Sequence, residues 1–361
     1  MTLDLTLLPD GGMAWLDGSG DDADIVLSTR IRLARNLEGF AFTGRAREGE
    51  RLRVLQQVRD AMPQVPSLKG GVILRVDELA SSDRQLLHER KVVSKELAGL
   101  EPAQPLRGGA AVVLAEGVGV MVNEEDHLRL QALRGGLQLG PTFAAVDRLD
   151  RELGARVPFA WHDDFGFLTA CPTNTGTGMR ASVLIHLPGL RLTRELEKVL
   201  ASLQTMGLTF RGLYGEGSDV IGNFVQISNQ NTLGRSEEEL ADHLVRVVRH
   251  VIQREREARR VLWRDATHII EDKLWRSYGT LRFARSLTFE EAMSHLSNVR
   301  LAVGLNLITE LSVYTLNKLL IFCQNAHLAY AEGRALTESE ADVARARYVR
   351  QALEADADPV A

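Results

Sequence analysis

Apolar positions recur at helical spacing through residues 51–62 and 83–97, with Ser82 or Asp83 available to cap the second segment. The run 72–76 between them has the length and composition of a strand. Residues 111–115 and 118–122 are two apolar runs separated by Glu116-Gly117, the pattern of a β-hairpin around a two-residue turn. The second run leads directly into Asn123-Glu124-Glu125-Asp126-His127. Further strands are expected at 166–170, 181–187, 208–213 and 223–228, and helices at 143–155, 193–205 and 236–260. Ile25-Val26-Leu27 begins as a strand and feeds Ser28-Thr29-Arg30-Ile31-Arg32; a continued period of two puts both arginines on one face.

Strands and helices mix without a regular βαβ alternation, so the expected fold class is α+β with an antiparallel sheet. From about Trp263 the strand signals stop, and 266–278, 288–300, 307–330 and 337–354 are expected as successive helices. The expected organisation is an irregular lead-in over 1–23, an α+β domain over 24–260 and a helical domain over 261–361. Between Leu301 and Phe322 the helical domain carries more apolar residues than one side of a lone helix needs. Pairing into a homodimer is the expectation, with packing inside the chain as the alternative.

The length of 361 residues suits two domains, and 45% apolar with 25% charged residues is ordinary for a compact soluble chain. With 43 basic and 48 acidic residues the formal charge is −5, which gives no whole-surface attraction to nucleic acid or to an anionic membrane. The first basic residue is Arg30, so an export signal is not expected, and the apolar stretches 108–122 and 301–322 are interrupted or flanked by charged and polar residues. Cys171 and Cys323 stand far apart, with no cysteine or histidine at metal-ligand spacing beside them. Neither a disulfide framework nor a metal site is indicated, and the cytoplasm is the expected compartment.

Gly176-Thr177-Gly178-Met179-Arg180-Ala181 fits a dinucleotide fingerprint in spelling, but strand-like Ser182-Val183-Leu184-Ile185 follows where that fold requires a helix. There is no Walker A sequence, protein-kinase catalytic loop or His-Glu-x-x-His. What remains is a set of arginines at expected strand ends: Arg30, Arg32, Arg129, Arg180 and Arg211. Each alone reads as a surface ion-pair partner. Together with the carboxylates of 123–127 and of Gly215-Glu216-Gly217, they suit another arrangement, with cations on a polyphosphate and carboxylates on a nucleophile. Guanidinium forks match phosphate oxygens bidentately and keep their charge at physiological pH.

Four segments carry a resemblance: Ser28-Thr29-Arg30-Ile31-Arg32-Leu33-Ala34-Arg35-Asn36, Asn123-Glu124-Glu125-Asp126-His127-Leu128-Arg129, Cys171-Pro172-Thr173-Asn174-Thr175-Gly176-Thr177-Gly178-Met179-Arg180-Ala181-Ser182, and Arg211-Gly212-Leu213-Tyr214-Gly215-Glu216-Gly217-Ser218. In this order they resemble the ATP:guanido phosphotransferases, in particular the bacterial protein-arginine kinases of the McsB family. The resemblance runs from about Asp24 past Gln230 and continues more weakly into the helical domain.

The resemblance implies an antiparallel-sheet catalytic domain followed by a helical C-terminal domain, and ATP as substrate with Mg²⁺ on the nucleotide. It assigns ATP binding to Ser28, Thr29, Arg30, Ile31, Arg32, Arg129, Arg180, Ala181, Ser182, Val183, Leu184, Arg211, Gly212, Leu213, Tyr214 and Gly215. Glu125 and Glu216 match the two carboxylates that hold the acceptor guanidinium, with Glu125 as base. Elementary chemistry agrees, because an arginine side chain has a pKa above about 12 and needs a partner to take its proton as it attacks. Cys171 matches a cysteine that positions the acceptor, while Cys323 on an apolar helix reads as core.

Kinases of this superfamily that act on free guanidines carry a further N-terminal helical domain, whereas here 27 residues precede Ser28. A protein acceptor is therefore expected. A small-molecule guanidino kinase and a non-catalytic phosphoarginine-binding adaptor are the alternatives. The resemblance also implies links to the stress response and protein quality control, through a zinc-binding activator protein and an unfoldase-protease. A C-terminal Arg-Asp-x-x-Arg-Ala motif, implicated in phosphoarginine binding, stands here as Ala341-Asp342-Val343-Ala344-Arg345-Ala346 without its leading arginine. Asp342 and Arg345 are left as a possible allosteric pair, or as an ordinary i,i+3 ion pair.

Overall fold

A computed structural model describes residues 3–9, 13–102, 105–212 and 221–357. Its strands are β1 Val26–Arg35, β2 Val72–Arg75, β3 Ala111–Ala115, β4 Val118–Val122, β5 Leu128–Gly135, β6 Trp161–His162, β7 Gly166–Phe167, β8 Met179–His186, β9 Leu208–Gly212 and β10 Phe224–Asn229. All but β6 and β7, which form a small hairpin, join one antiparallel sheet in the order β2-β3-β4-β5-β1-β8-β10-β9. The α+β class is as expected. β5 was not among the expected strands, yet it pairs with both β4 and β1.

Side-chain alternation divides the sheet. Ile31, Leu33, Leu128, Leu130, Ala132, Ala181, Val183 and Ile185 enter a core shared with helices α3 Leu139–Gly154, α5 Leu196–Thr205 and the first half of α6 Glu237–Phe283. The opposite faces of β1, β5 and β8 carry the arginines. Burying one Val, Leu or Ile side chain contributes about 1.5–3 kcal/mol, so the six of these named here fix the register of the central strands, since a one-residue slip would drive arginines into the core.

The remaining helices are α1 Glu48–Ala61, α2 Ser81–Glu89, α4 Pro188–Leu192, α7 Phe289–Gly304, α8 Val313–Phe322, α9 Asn325–Ala331 and α10 Glu338–Ala357. α2 ends well before the expected residue 97, and Lys91 just beyond it takes a left-handed backbone (φ 63°). α6 is continuous across the expected domain boundary at 260, capped by a Ser236–Glu239 capping box and kinked where Ala266 leaves helical geometry. The single helix expected over 307–330 is instead α8 and α9.

The lead-in is more ordered than expected. Trp15 and Leu16 are buried in the C-terminal core, Asn317 donates to the Leu16 carbonyl (2.9 Å), and Arg300 donates to the Ala23 carbonyl (2.6 Å). At the other flank, buried Glu89 accepts from the backbone N–H groups of Ala326 and His327 and pairs with His327 Nδ1 at 2.8 Å. Leu301, Ile308, Leu311, Leu316, Leu319, Leu320 and Ile321 are buried in this same intrachain core. These seven are accounted for within one chain, whereas Val303, Leu305, Leu307 and Phe322 of the same stretch are only partly buried.

Candidate active site

The β5-β1-β8 face and the neighbouring loops enclose a cavity of about 550 Å³. Ser28, Arg30 and Arg32 reach it from β1, Arg129 from β5, Arg180, Ser182 and Leu184 from β8, and Arg211 with Gly212 from β9. The period of two does this. Arg32 stands opposite Arg180 across the β1–β8 ladder, and Ala34 stands opposite Arg129 across β1–β5. The same alternation sends the side chains of Thr29, Ile31, Ala181 and Val183 to the other face, where Thr29 donates to the Gly136 carbonyl (2.6 Å). Those four residues, expected at the nucleotide, are not among the residues that line the cavity. Leu213, Tyr214, Gly215 and Glu216 lie outside the described residues.

The arginine cluster is electrostatically unfavourable by itself. Burial, then Arg129, brings the Arg30 guanidinium down to about 10, and burial with Arg30, Arg129 and Arg180 lowers Arg32 well below its ordinary value. The Nε atoms of Arg30 and Arg32 are buried without a hydrogen-bond partner among the described residues. Several cations crowded together with orphaned donors form a cradle suited to a polyanion. A triphosphate fits it. Among the described residues no group of three His, Cys, Asp or Glu side chains is placed to hold a metal ion.

Arg129 is held differently. Its Nη1 lies 2.7 Å from the buried Glu124 carboxylate and its Nη2 lies 3.3 Å from Glu125. Burial would lower its pKa, but Glu124, Glu125 and Asp126 outweigh that and raise it. Glu124 in turn accepts from Ser94 Oγ (2.6 Å). Glu125 remains 44% exposed at the cavity wall, so its carboxylate is accessible to an acceptor. Burial raises its pKa, Arg129 opposes that, and Asp126, Glu124 and Glu96 add to the rise. The result is a carboxylate with more affinity for a proton than a free glutamate.

Residues 123–127 form the turn between β4 and β5, closed by the Asn123 N–H donating to the His127 carbonyl (2.8 Å) with Asn123 left-handed at φ 60°. Cys171 lines the same cavity, half-buried, with its Sγ 3.0 Å from Thr173 Oγ1. The glycines after it serve close chain crossing. A Cβ on Gly176 (φ 112°) would lie 2.4 Å from the Thr232 carbonyl, and one on Gly178 (φ 63°) 2.6 Å from the Ala34 carbonyl.

The cavity also contains residues that the sequence reading missed. Lys91, just past α2, is brought down to about 8 by burial, with Arg30 and Lys95 next, and His88 is brought down to about 4 by burial, then Lys91. In the sequence, His88-Glu89-Arg90-Lys91 lies inside the helix expected over 83–97; in the structure the helix ends at Glu89 and Lys91 turns left-handed beside the cavity. Arg345 stands apart. It is buried and donates to the carbonyls of Cys323 (2.9 Å) and Leu287 (2.7 Å), to Asn325 Oδ1 (2.6 Å) and to Asp342 (2.6 Å). The guanidinium is engaged by these partners inside the C-terminal domain.

Residues 53–258 match the family profile described as ATP:guanido phosphotransferase, C-terminal catalytic domain, and residues 267–360 match the protein-arginine kinase McsB C-terminal domain. The chain belongs to the McsB family of ATP:guanido phosphotransferases. It is 44% identical over 344 residues to the protein-arginine kinase of Moorella thermoacetica, covering 94% of this chain and 97% of that one. The protein-arginine kinase of Bacillus subtilis is 39% identical over 348 residues, covering 96% and 94%. Among solved structures, the duplicated taurocyamine kinase of Schistosoma mansoni with bound transition-state-analogue components superposes with a TM-score of 0.59 at 28% identity. That match covers 71% of this chain and 35% of the duplicated one. A lombricine kinase at 23% identity and TM-score 0.56, covering 71% of each chain, shares the fold. Both family matches are in the order expected from the sequence, with the helical domain second.

Proposed function

We propose that this protein is an ATP-dependent kinase that transfers the γ-phosphate to the guanidinium of arginine side chains in proteins. What carries the reading is the juxtaposition of a proton-accepting Glu125 with the Arg30, Arg32, Arg129, Arg180 and Arg211 cradle in one cavity. Full-length similarity to protein-arginine kinases supports the protein acceptor. The arginines bind and neutralise the polyphosphate. Mg²⁺ carried on the nucleotide supplies further charge neutralisation when bound.

Glu125 orients the acceptor guanidinium and takes its proton as the nitrogen attacks the γ-phosphorus. The N–P bond forms, the P–O bond to the β-phosphate breaks, and ADP leaves with the electron pair. Positioning and electrostatics account for most of the catalysis. Cys171 positions the acceptor, and Glu216 is the second carboxylate clamp. A cytoplasmic homodimer working with a zinc-binding activator and an unfoldase-protease in stress response and protein quality control completes the proposal; those parts rest on the family resemblance alone.

The test is incubation with MgATP and either an unfolded arginine-containing protein or free arginine, with phosphosites mapped under non-acidic conditions that preserve the P–N bond. Phosphoarginine on the protein, at a higher kcat/KM than on free arginine, is the expected result. A preference for free arginine overturns the protein-kinase reading.

A further inference from the structure

The β6–β7 hairpin lies outside the catalytic cavity. Five successive residues, 161–165, are exposed, with Trp161 at 55% and Phe165 at 51% of their full accessibility. Single exposed apolar residues are commonplace, but two large aromatics on one short hairpin, with Asp163 and Asp164 at its tip, are a surface that water solvates poorly.

The mount is rigid. Trp161 meets Phe167 edge to face at 4.8 Å, and the Arg35 guanidinium lies 3.4 Å over the Phe167 ring while pairing bidentately with Asp150. Phe167 N–H donates to the Gly176 carbonyl (2.9 Å). At the hairpin base, the Ala160 N–H donates to the Asn36 carbonyl (2.7 Å), and Asn36 Nδ2 donates both to the Leu168 carbonyl (3.0 Å) and to Asp126 (2.7 Å). Asp126 is the chain neighbour of Glu125. The aromatic surface is therefore built onto the residues that support the catalytic turn.

We propose that this hairpin docks the unfolded polypeptide on either side of the acceptor arginine, an inference that rests on the protein-kinase reading. The rings offer apolar and cation–π contact to neighbouring side chains, and the two carboxylates complement the positive charge of arginine-bearing segments. Six residues separate Phe165 from Cys171, at most about 20 Å of chain, so an extended acceptor spans the distance in about six residues. Free arginine or a capped single arginine is too short to reach.

The experiment compares wild type, Trp161→Ala, Phe165→Ser and the double change Asp163→Asn with Asp164→Asn, using MgATP with an unfolded protein and with N-acetyl-arginine amide. Asp163 and Asp164 are exposed at the tip, so their double change guards against a folding defect in the aromatic variants. The expected result is a KM for unfolded protein raised about tenfold by each aromatic change, with kcat/KM for the capped arginine unaltered. Equal losses on both substrates, or no change on either, would overturn the inference. So would unchanged kinetics accompanied by a lower mass in light scattering, since the hairpin would then be a contact between copies of the chain. If wild type itself modifies only the capped arginine, the functional reading fails first, which separates the two failures.

Discussion

Asp126 Oδ1 accepts a hydrogen bond from the backbone N–H of Ala170 at 2.6 Å. The residue after the proposed base thus holds the residue before the proposed acceptor-positioning thiol. Asn36 donates to the same oxygen at 2.7 Å, so a single buried carboxylate ties β1's end, the 123–127 turn and the Cys171 loop together. Catalysis by positioning is sensitive to displacements of about 1 Å.

Asp126→Ala leaves the Ala170 N–H and the Asn36 amide without their acceptor, each costing about 1–3 kcal/mol. Expected in steady-state kinetics is a kcat lowered at least about tenfold with the KM for ATP nearly unchanged, because the arginines of the phosphate cradle are held within paired sheet strands and not in the 123–127 turn. Asp126→Asn, which keeps an oxygen there, should recover much of the rate. A folded Ala variant with wild-type kcat would remove Asp126 from the positioning network.

Glu125→Gln should cost roughly 10²- to 10⁴-fold in kcat while ATP affinity stays near wild type. The pH dependence has a definite sign. Burial raises the Glu125 pKa, and a base works only when deprotonated, so the acid limb of kcat/KM should lie above the ordinary carboxylate range and fall as pH drops through it. A raised carboxyl pKa also means that ionised Glu125 is disfavoured in the fold at neutral pH, so Gln should not lower thermal stability there. An acid limb at the usual glutamate position, measured with saturating MgATP, would contradict the assignment.

How much of this site was legible beforehand follows from its chemistry. Arg30 and Arg32 could be placed on one face because the strand alternation that exposes them also buries Ile31 and Leu33. β5 shows the same alternation in Leu128-Arg129-Leu130-Gln131-Ala132, but only Arg129 is expected at a strand end and no strand is expected over the run. Glu124 was in plain view within the motif. Its role as the buried partner of Arg129 depends on Ser94 and Arg129 converging on it in space, which no spacing encodes. Lys91 was hidden for a related reason, since a left-handed backbone at a non-glycine residue is set by tertiary packing. The break between α8 and α9 has Gln324 extended just ahead of α9, whose first N–H groups are satisfied by Glu89, 237 positions away from Ala326.

The crowding around Arg30 and Arg32 predicts a ligand-dependent stability. MgATP at about 100 times its Kd should stabilise the protein by about 2.7 kcal/mol, read as a rise in Tm. Arg32→Met removes one crowded, partly buried charge and should leave the ligand-free protein at least as stable as wild type while sharply reducing the ATP-induced shift. A destabilised ligand-free variant with a full ATP shift would show that Arg32 serves the fold and not the phosphates.

Arg345 should behave in the opposite way. Its donors are committed to two main-chain carbonyls, Asn325 and Asp342, joining α10 to the segment after α8 and to the residue preceding the α7 cap. For phosphoarginine to use this guanidinium, those internal hydrogen bonds would have to be given up, and the missing arginine at position 341 is replaced by a buried alanine that brings no compensating charge. Arg345→Ala strands three acceptors and an ion-pair partner, with an expected loss of about 3–5 kcal/mol in urea unfolding. Asp342→Asn, which keeps an acceptor oxygen beside Arg345 on the more open side of the pair, should lose less. Added phosphoarginine should leave the unfolding midpoint of the wild type unchanged. A midpoint that rises with phosphoarginine in wild type but not in a folded Arg345 variant would restore the allosteric reading and reassign this residue from fold support to ligand binding.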